Sequence, residues 1–311
     1  MLYLERFQLP NRRQEEDFFA GVRRTCHTTF YPFQVFYQRE PGPFTFTPVT
    51  IFCGGNGSGK STLLHVIAET VGAARSAPCN RSEFYGEYVK RCSFTMRGGQ
   101  TPAGSRIITS DDVFDYLLEL RAFNQSIDLR RGRLLEEYLD AKYGGYQFRS
   151  LEDHEALRRK VAARSKSQSQ FVRGELVDNV REGSNGESAL RYFTEEIRED
   201  ALYLLDEPEN SLSAQRQLEL KRFLEDSARF YGCQLILATH SPFLLAMEGA
   251  RIYDLDHDPV EVRPWTQLET VRTYFAFFQA HREQLDDGAE PNETVRRDGS
   301  LSCRGGPYFR D

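Results

Sequence analysis

The sequence predicts an α/β fold built on a mostly parallel sheet with a helical insertion, and three observations predict it. Short apolar runs, "PVTIFC" (48–53), "ALYLL" (201–205) and "QLILAT" (234–239), carry the β-branched and aromatic content of buried strands. Helix-patterned segments separate them, and strand and helix alternating in this way imply parallel strands joined by helical crossovers. Between the first run and the other two lies a long charged stretch, from about Ser82 to Arg181, that reads as mostly helical.

In chain order, "MLYLERFQL" alternates apolar and polar residues, as a half-buried strand does. "PVTIFC" ends in Gly-Gly, and "STLLHVIAETVG" places Leu63, Leu64, Ile67 and Val71 at helical spacing. Within the charged stretch one strand is expected at "RIITS" (106–110), with helices at 113–123, 133–143 and 151–172. "QRQLELKRFLEDSARF" is the helix between the last two strand runs. After Trp265 an aromatic helix follows, whose Leu268, Val271, Phe275 and Phe278 form one stripe, expected to pack in a core. From Leu285 the chain is rich in Asp, Gly, Pro and Ser, the composition of a flexible tail. The expected organisation is one domain over residues 1–285, its helical insertion at about 82–183, and a polar tail over 286–311.

Composition narrows the function. Apolar residues at 40% and charged residues at 28% suit a soluble globular chain. A net charge of −6 gives no overall attraction to nucleic acid or anionic membrane. Six cysteines without a C-x-x-C pair point away from zinc and from a disulfide framework, and fit a reducing cytoplasm. No apolar run is long enough to span a bilayer, and the N-terminus lacks the apolar region of a signal peptide.

The chemistry begins at "GGNGSGKST", Gly54, Gly55, Asn56, Gly57, Ser58, Gly59, Lys60, Ser61 and Thr62. This is G-x-x-x-x-G-K-[ST] between an expected strand and helix, the setting of a P-loop NTPase. Its backbone N–H groups wrap phosphates, the helix N-terminus adds partial positive charge, and Lys60 reaches the β- and γ-phosphates. Ser61 can ligate Mg²⁺. The second motif is "ALYLLDEPENSLS", which delivers Asp206 and Glu207 to the carboxyl end of a buried strand, where ligands gather in open α/β sheets. Asp206 is expected to hold Mg²⁺ through its water shell, and Glu207 to position or polarise the attacking water. The third is "ILATHSP", where His240 ends an uncharged strand at the same sheet edge and is placed to contact the γ-phosphate. Glu207, His240 and Lys60 are the expected catalytic residues, with ATP and Mg²⁺ as cofactors.

The order of these motifs, together with "SNGES", resembles that of ABC-type ATPases. The sheet core is then expected to be of the ABC-ATPase type, mixed or parallel. The Asn56-containing loop looks more like the soluble ABC ATPases of DNA repair and chromosome maintenance than like transporter subunits. Through "DDVFDYLLELRAFN", "SQSQFVR" and "HSPFLLAM" the chain resembles a group of bacterial ATPases with an AAA/ABC-like domain, over roughly residues 1–285. Set against that family, Ser184 and Gly186 fall on the signature loop's serine and second glycine, and Glu187 replaces its glutamine. The family's D-loop aspartate is Ser213 here, and Ser110, Asp111 and Asp112 stand where its Q-loop glutamine belongs. Four aromatics, Tyr31, Phe33, Phe36 and Tyr37, precede the phosphate loop as candidates to stack on adenine.

In the family a signature loop completes the ATP site of a second subunit. The resemblance therefore implies that Ser184, Gly186 and Glu187 meet a partner's nucleotide in a head-to-tail homodimer that ATP assembles and hydrolysis releases. The alternative functions are an ATP-hydrolysing subunit of a membrane ABC transporter and an ATP-binding module that barely hydrolyses. The run "ALRRKVAARSKSQSQFVR" has six basic residues and no acidic one. Arg158, Arg159, Lys160, Arg164 and Lys166 are either a contact for nucleic-acid phosphates or a solvated helix face. No second acidic cluster supports a fused nuclease, so such an activity would have to come from a separate effector protein.

Overall fold

The computed structural model describes residues 1–22, 27–39, 41–143, 158, 161, 165, 167–173, 176 and 184–286. The chain divides into two compact units, Met1–Arg263 and Pro264–Asp311. The first unit opens with β1 (Leu4–Gln8), α1 (Arg12–Gly21), β2 (Phe44–Thr45), β3 (Val49–Cys53) and α2 (Lys60–Val71). Next come α3 (Tyr85–Val89), β4 (Ser93–Met96), β5 (Arg106–Thr109), α4 (Ser110–Tyr143), α5 (Gln168–Arg173) and α6 (Asn185–Glu196). It closes with β6 (Leu202–Asp206), α7 (Ala214–Phe230), β7 (Gln234–Ala238), α8 (Pro242–Leu245), β8 (Arg251–Asp254) and β9 (Glu261–Val262).

The main sheet has the order β5-β6-β7-β3-β8-β9, with its first five strands parallel and β9 antiparallel to β8. Every residue of β3, β6 and β7 is buried, which is why these strands read as unbroken apolar runs rather than alternating ones. This is the α/β P-loop NTPase fold, a mixed sheet that is mostly parallel. A smaller antiparallel sheet, β2-β1-β4, lies across the core, where Leu4 and Phe7 of β1 join Phe52 and the α2 residues Leu63, Leu64 and Ile67. Strands β2, β4, β8 and β9 have no counterpart in the sequence reading. Two are only two residues long, and the side chains of β4 are largely exposed.

Register fixes the working edge. The paired positions Thr109 with Asp206, Asp206 with Ala238, Ala238 with Phe52, and Cys53 with Asp254 run across five neighbouring parallel strands. Five strand ends are thereby held in one row, and the loops that follow them emerge side by side.

Beyond the extra strand β4, the helical region differs from expectation after β5, and most of the expected helix at 151–172 lies outside the described residues. In place of separate helices at 113–123 and 133–143, α4 is continuous over 34 residues. Its buried positions, Val113, Leu117, Asn124, Ile127, Leu134 and Tyr138, keep the spacing of one helical stripe straight through the expected gap. That burial offsets the cost of about 1 kcal/mol for Gly132 inside a helix. Helix α4 packs on α5 and α6. In the basic run Arg158, Val161 and Ser165 are helical, while Arg159, Lys160, Arg164 and Lys166 lie outside the described residues.

The second unit contains a 3₁₀ turn (Trp265–Gln267), α9 (Glu269–Ala280) and α10 (Arg282–Asp286). Its aromatic stripe is buried only at one end. Leu268 and Val271 are buried, but Phe275 and Phe278 are 50% and 53% exposed, so the expected core packing stops after one turn. Residues 287–311, most of the expected tail, lie outside the described residues. No described helix is long and apolar enough to cross a membrane.

Candidate functional site

The turn from β3 into α2 is built by backbone geometry that only glycine supplies cheaply. Gly59 has φ +97°, and a Cβ placed there would lie 2.8 Å from Cζ of buried Phe36. A Gly59→Ala protein is expected to lose about 1–3 kcal/mol of stability from left-handed strain and overpacking, and its nucleotide affinity with it. Chemical denaturation in parallel with nucleotide titration measures both.

Side chains from distant segments clamp the loop. The Arg39 guanidinium donates to the carbonyls of Ser58 (3.0 Å) and Leu255 (2.8 Å). The Asp256 carboxylate accepts from the Gly55 N–H at 2.6 Å. Lys60 is almost fully buried and donates to the carbonyls of Gly54 (2.8 Å) and Gly55 (3.0 Å), so its ammonium lies within the curl of the loop. Ser58 Oγ is buried without a partner, a polar atom left for a ligand of the loop. Cys53, the last residue of β3, has its thiol pushed up to about 12, first by burial and then by Asp254 and Asp256, and it stays protonated and inert.

The acidic motif arrives on β6. Ser61 Oγ donates to Asp206 Oδ1 at 2.9 Å, joining the phosphate loop to the acidic strand end across the intervening β7. Two hard oxygen donors at this separation, beside a phosphate-binding turn, suit Mg²⁺, which takes few protein ligands and completes its shell with water and substrate phosphates. Asp206 Oδ2 lies 3.3 Å from His65 Nε2, a histidine that the motifs did not flag.

Glu207 is held in an uncommon conformation. Its φ is +47°, left-handed for a residue with a side chain, a departure that costs on the order of 1–2 kcal/mol. Its N–H donates to the Ala238 carbonyl at 2.8 Å, and its Oε2 accepts from Asn210 Nδ2 at 3.1 Å. His240 Nδ1 stands 3.9 Å from Glu207 Oε1 and 3.5 Å from Glu209 Oε1. Glu209, unassigned by sequence reading, is buried, and its Oε1 accepts from Thr239 Oγ1 (2.6 Å), His240 N–H (3.0 Å) and Ser241 N–H (3.2 Å). One carboxylate therefore gathers the turn that carries His240.

A cavity of about 490 Å³ opens beside these groups, lined in part by Tyr31, Ser61, Thr62, His65, Asp111 and Asp206. Tyr31 donates to Thr62 Oγ1 at 3.2 Å. Phe33 is buried and stacked on Phe18 with ring centroids 3.9 Å apart, and Phe36 is buried against Gly59. Tyr37 lines a separate cavity with Glu16 and Gln34. Of the three residues at the Q-loop place, Ser110 and Asp111 line the 490 Å³ cavity. Asp112 is committed to structure, since its carboxylate accepts from the N–H groups of Ala77 and Thr109 and from Thr109 Oγ1.

Ser184, Gly186 and Glu187 sit apart from this assembly, at the start of α6, which packs against α4 and α7. Ser184 and Glu187 form a reciprocal capping box, at 3.3 and 3.0 Å. Glu187 Oε1 also accepts from Arg216 Nη2 at 2.8 Å, and Asn185 accepts from Arg121. Ser213, at the D-loop place, caps α7 by accepting from the Arg216 N–H. Arg216 on α7 thereby neutralises the carboxylate nearest the helix start, while Ser184, Asn185 and Glu187 remain exposed.

Residues 115–246 match the family model described as "AAA domain, putative AbiEii toxin, Type IV TA system". The matched segment takes in the α6 start, Asp206, Glu207 and His240 and begins after the phosphate loop. No curated protein matches the chain in sequence. Among solved structures, the chain is similar to the Smc head domain of Pyrococcus furiosus bound to the C-terminal domain of ScpA. That likeness has 14% identity and a TM-score of 0.40, and covers 91% of this chain and 100% of that one. The SMC head domain from Thermotoga maritima matches with 14% identity, a TM-score of 0.36 and coverage of 85% and 99%. A dimeric ATP-binding cassette in a post-hydrolysis state, bound to ADP and Pi, matches with 12% identity, a TM-score of 0.32 and coverage of 73% and 90%.

Proposed function

We propose, for a chain that carries an AAA-type P-loop ATPase domain, that it binds Mg²⁺–ATP and hydrolyses it between two copies of itself, so that nucleotide state sets assembly. The observation that carries the reading is the meeting of Ser61 with Asp206 at 2.9 Å on the edge that also presents Glu207 and His240. Loop N–H groups and Lys60 would bind the phosphates, and Ser61 with Asp206 would hold Mg²⁺. The ion, when bound, neutralises charge on the β- and γ-phosphate oxygens. Glu207, one residue beyond the metal-holding carboxylate, would take a proton from water. His240, on the next loop, would face the terminal phosphate.

The second copy enters through the α6 N-terminus. A capped helix start is a natural anion site, and the Glu187 carboxylate that would oppose an anion there is neutralised by Arg216 of the same chain. A single phosphate loop and a single "SNGE" per chain make a two-fold pair the simplest closed arrangement, each copy lending its α6 start to the other's ATP.

Gly186→Asp tests this reading. A Cβ at Gly186 meets only ordinary contacts, Ser211 O at 3.5 Å and Arg216 Cγ at 3.6 Å, so the variant is expected to fold. The added carboxylate opposes a neighbour's phosphate, and ATP-induced dimerisation should weaken by about tenfold or more, with binding of ATP to the monomer retained. Sedimentation with and without ATP reads the outcome. A variant that dimerises like wild type, or a wild type that stays monomeric while hydrolysing ATP, would sink the dimer model.

A further inference from the structure

Helix α2 carries a partly buried histidine that the mechanism above does not use. His65 lies one turn after Ser61, on the same face of the helix, and its side chain is only 14% exposed. Its Nε2 is 3.3 Å from Asp206 Oδ2, while Ser61 Oγ is 2.9 Å from Oδ1, so both carboxylate oxygens are held. Behind the ring, Arg75 Nη1 is 2.7 Å from His65 Nδ1. A guanidinium has donors and no acceptor, so Nδ1 must accept, and the ring proton then sits on Nε2 and points at Asp206. Among the described residues Arg75 has no ion pair, and its Nη2 is buried without a partner. A half-buried guanidinium, with one terminal nitrogen out of solvent, thus directs its other terminal nitrogen to the imidazole.

We propose that Arg75 and His65 act as a positioning pair for the metal-holding carboxylate: Arg75 sets the tautomer, and His65 donates into Asp206 Oδ2 so that Oδ1 stays beside Ser61. The proposal rests on the Mg²⁺–ATP reading and deepens it. Groups of this kind, which orient a ligand without touching the ion, typically govern metal affinity by 10–100-fold. Direct ligation of a metal by His65 is the competing role. The geometry opposes it, because one ring nitrogen is taken by Arg75 and the other is engaged with Asp206.

The test is equilibrium binding of ATP to the full chain, with EDTA and across a Mg²⁺ titration. His65→Leu, His65→Gln and Arg75→Met are compared with wild type. Metal-free ATP affinity should be the same in all four proteins. The Mg²⁺ needed for half-maximal enhancement should rise about 10–100-fold in His65→Leu. It should stay near wild type in His65→Gln, whose amide can still donate, and fall between the two in Arg75→Met. Wild-type Mg²⁺ dependence in His65→Leu overturns the proposal, as does a Gln variant no better than Leu. Loss of metal-free binding in His65→Leu overturns it in favour of a purely structural role. A wild type that binds no ATP under any condition removes the Mg²⁺–ATP reading itself.

Discussion

Replacing Glu207 by glutamine is expected to leave ATP binding intact and to slow turnover by about 10²–10⁴-fold, the usual worth of a positioned general base. The substitution separates chemistry from structure. Glutamine keeps the length and shape of the side chain and can still accept from Asn210 Nδ2. It leaves the backbone bond from residue 207 to the Ala238 carbonyl untouched and meets the same φ of +47°. What it cannot do is take a proton from water. Under the proposed function the variant should also accumulate as an ATP-bound dimer, because release needs hydrolysis. Phosphate release and sedimentation on the same samples measure the two effects. Undiminished turnover would remove Glu207 from the chemistry, and slow turnover with no dimer would separate hydrolysis from assembly.

The parts of this site visible in the sequence are those in which one local pattern states both the structure and the chemistry. "GGNGSGKST" specifies its own turn, and the apolar run before Asp206 declares a strand buried on both faces, whose end must reach the sheet edge. The supporting residues were not visible because their meaning is tertiary. His65 reads as one more position on an amphipathic helix until the fold brings in Asp206, 141 residues away, and Arg75 from beyond the end of the same helix. Asp256 and Arg39 support the phosphate loop from opposite sides in sequence, and no spacing rule links them. The same limit explains the fold-level differences. Periodicity reveals an apolar face on α9 but not what covers it, so burial at Leu268 and Val271 did not extend to Phe275 and Phe278. In α4, the charged residues and glycine between the two expected helices hid a buried stripe that continues through Asn124 and Ile127.

Glu209 offers the sharpest case of a residue whose role only the fold discloses, and Glu209→Ala should have the second large effect. The Glu209 side chain is 6% exposed, and a buried carboxylate persists only where donors repay its desolvation. Three donors converge on Oε1: the Thr239 hydroxyl and the N–H groups of His240 and Ser241. Ser241 in turn donates to Gln217 Oε1 at 2.7 Å and caps the short helix that follows. Truncation to alanine strands those donors in a dry place, at a cost of about 1–3 kcal/mol in stability. It also frees the loop that aims His240. Misplacement of a reacting group by about 1 Å can cost roughly 10²-fold in rate, so kcat should fall on that scale while ATP affinity changes little. Glu209→Gln decides whether hydrogen bonding or charge is responsible. Its amide oxygen can receive the same three donors, and its NH₂ would replace Oε2, which is buried without a partner, so this variant should recover most of the stability and turnover. In a Glu207→Gln background, Glu209→Ala should slow hydrolysis far less than it does alone, because groups that serve one step are not additive. Denaturant unfolding and steady-state hydrolysis on the wild type and the four variants give the answer. Wild-type turnover in Glu209→Ala, or a glutamine variant no better than alanine, would show that this carboxylate does not position His240.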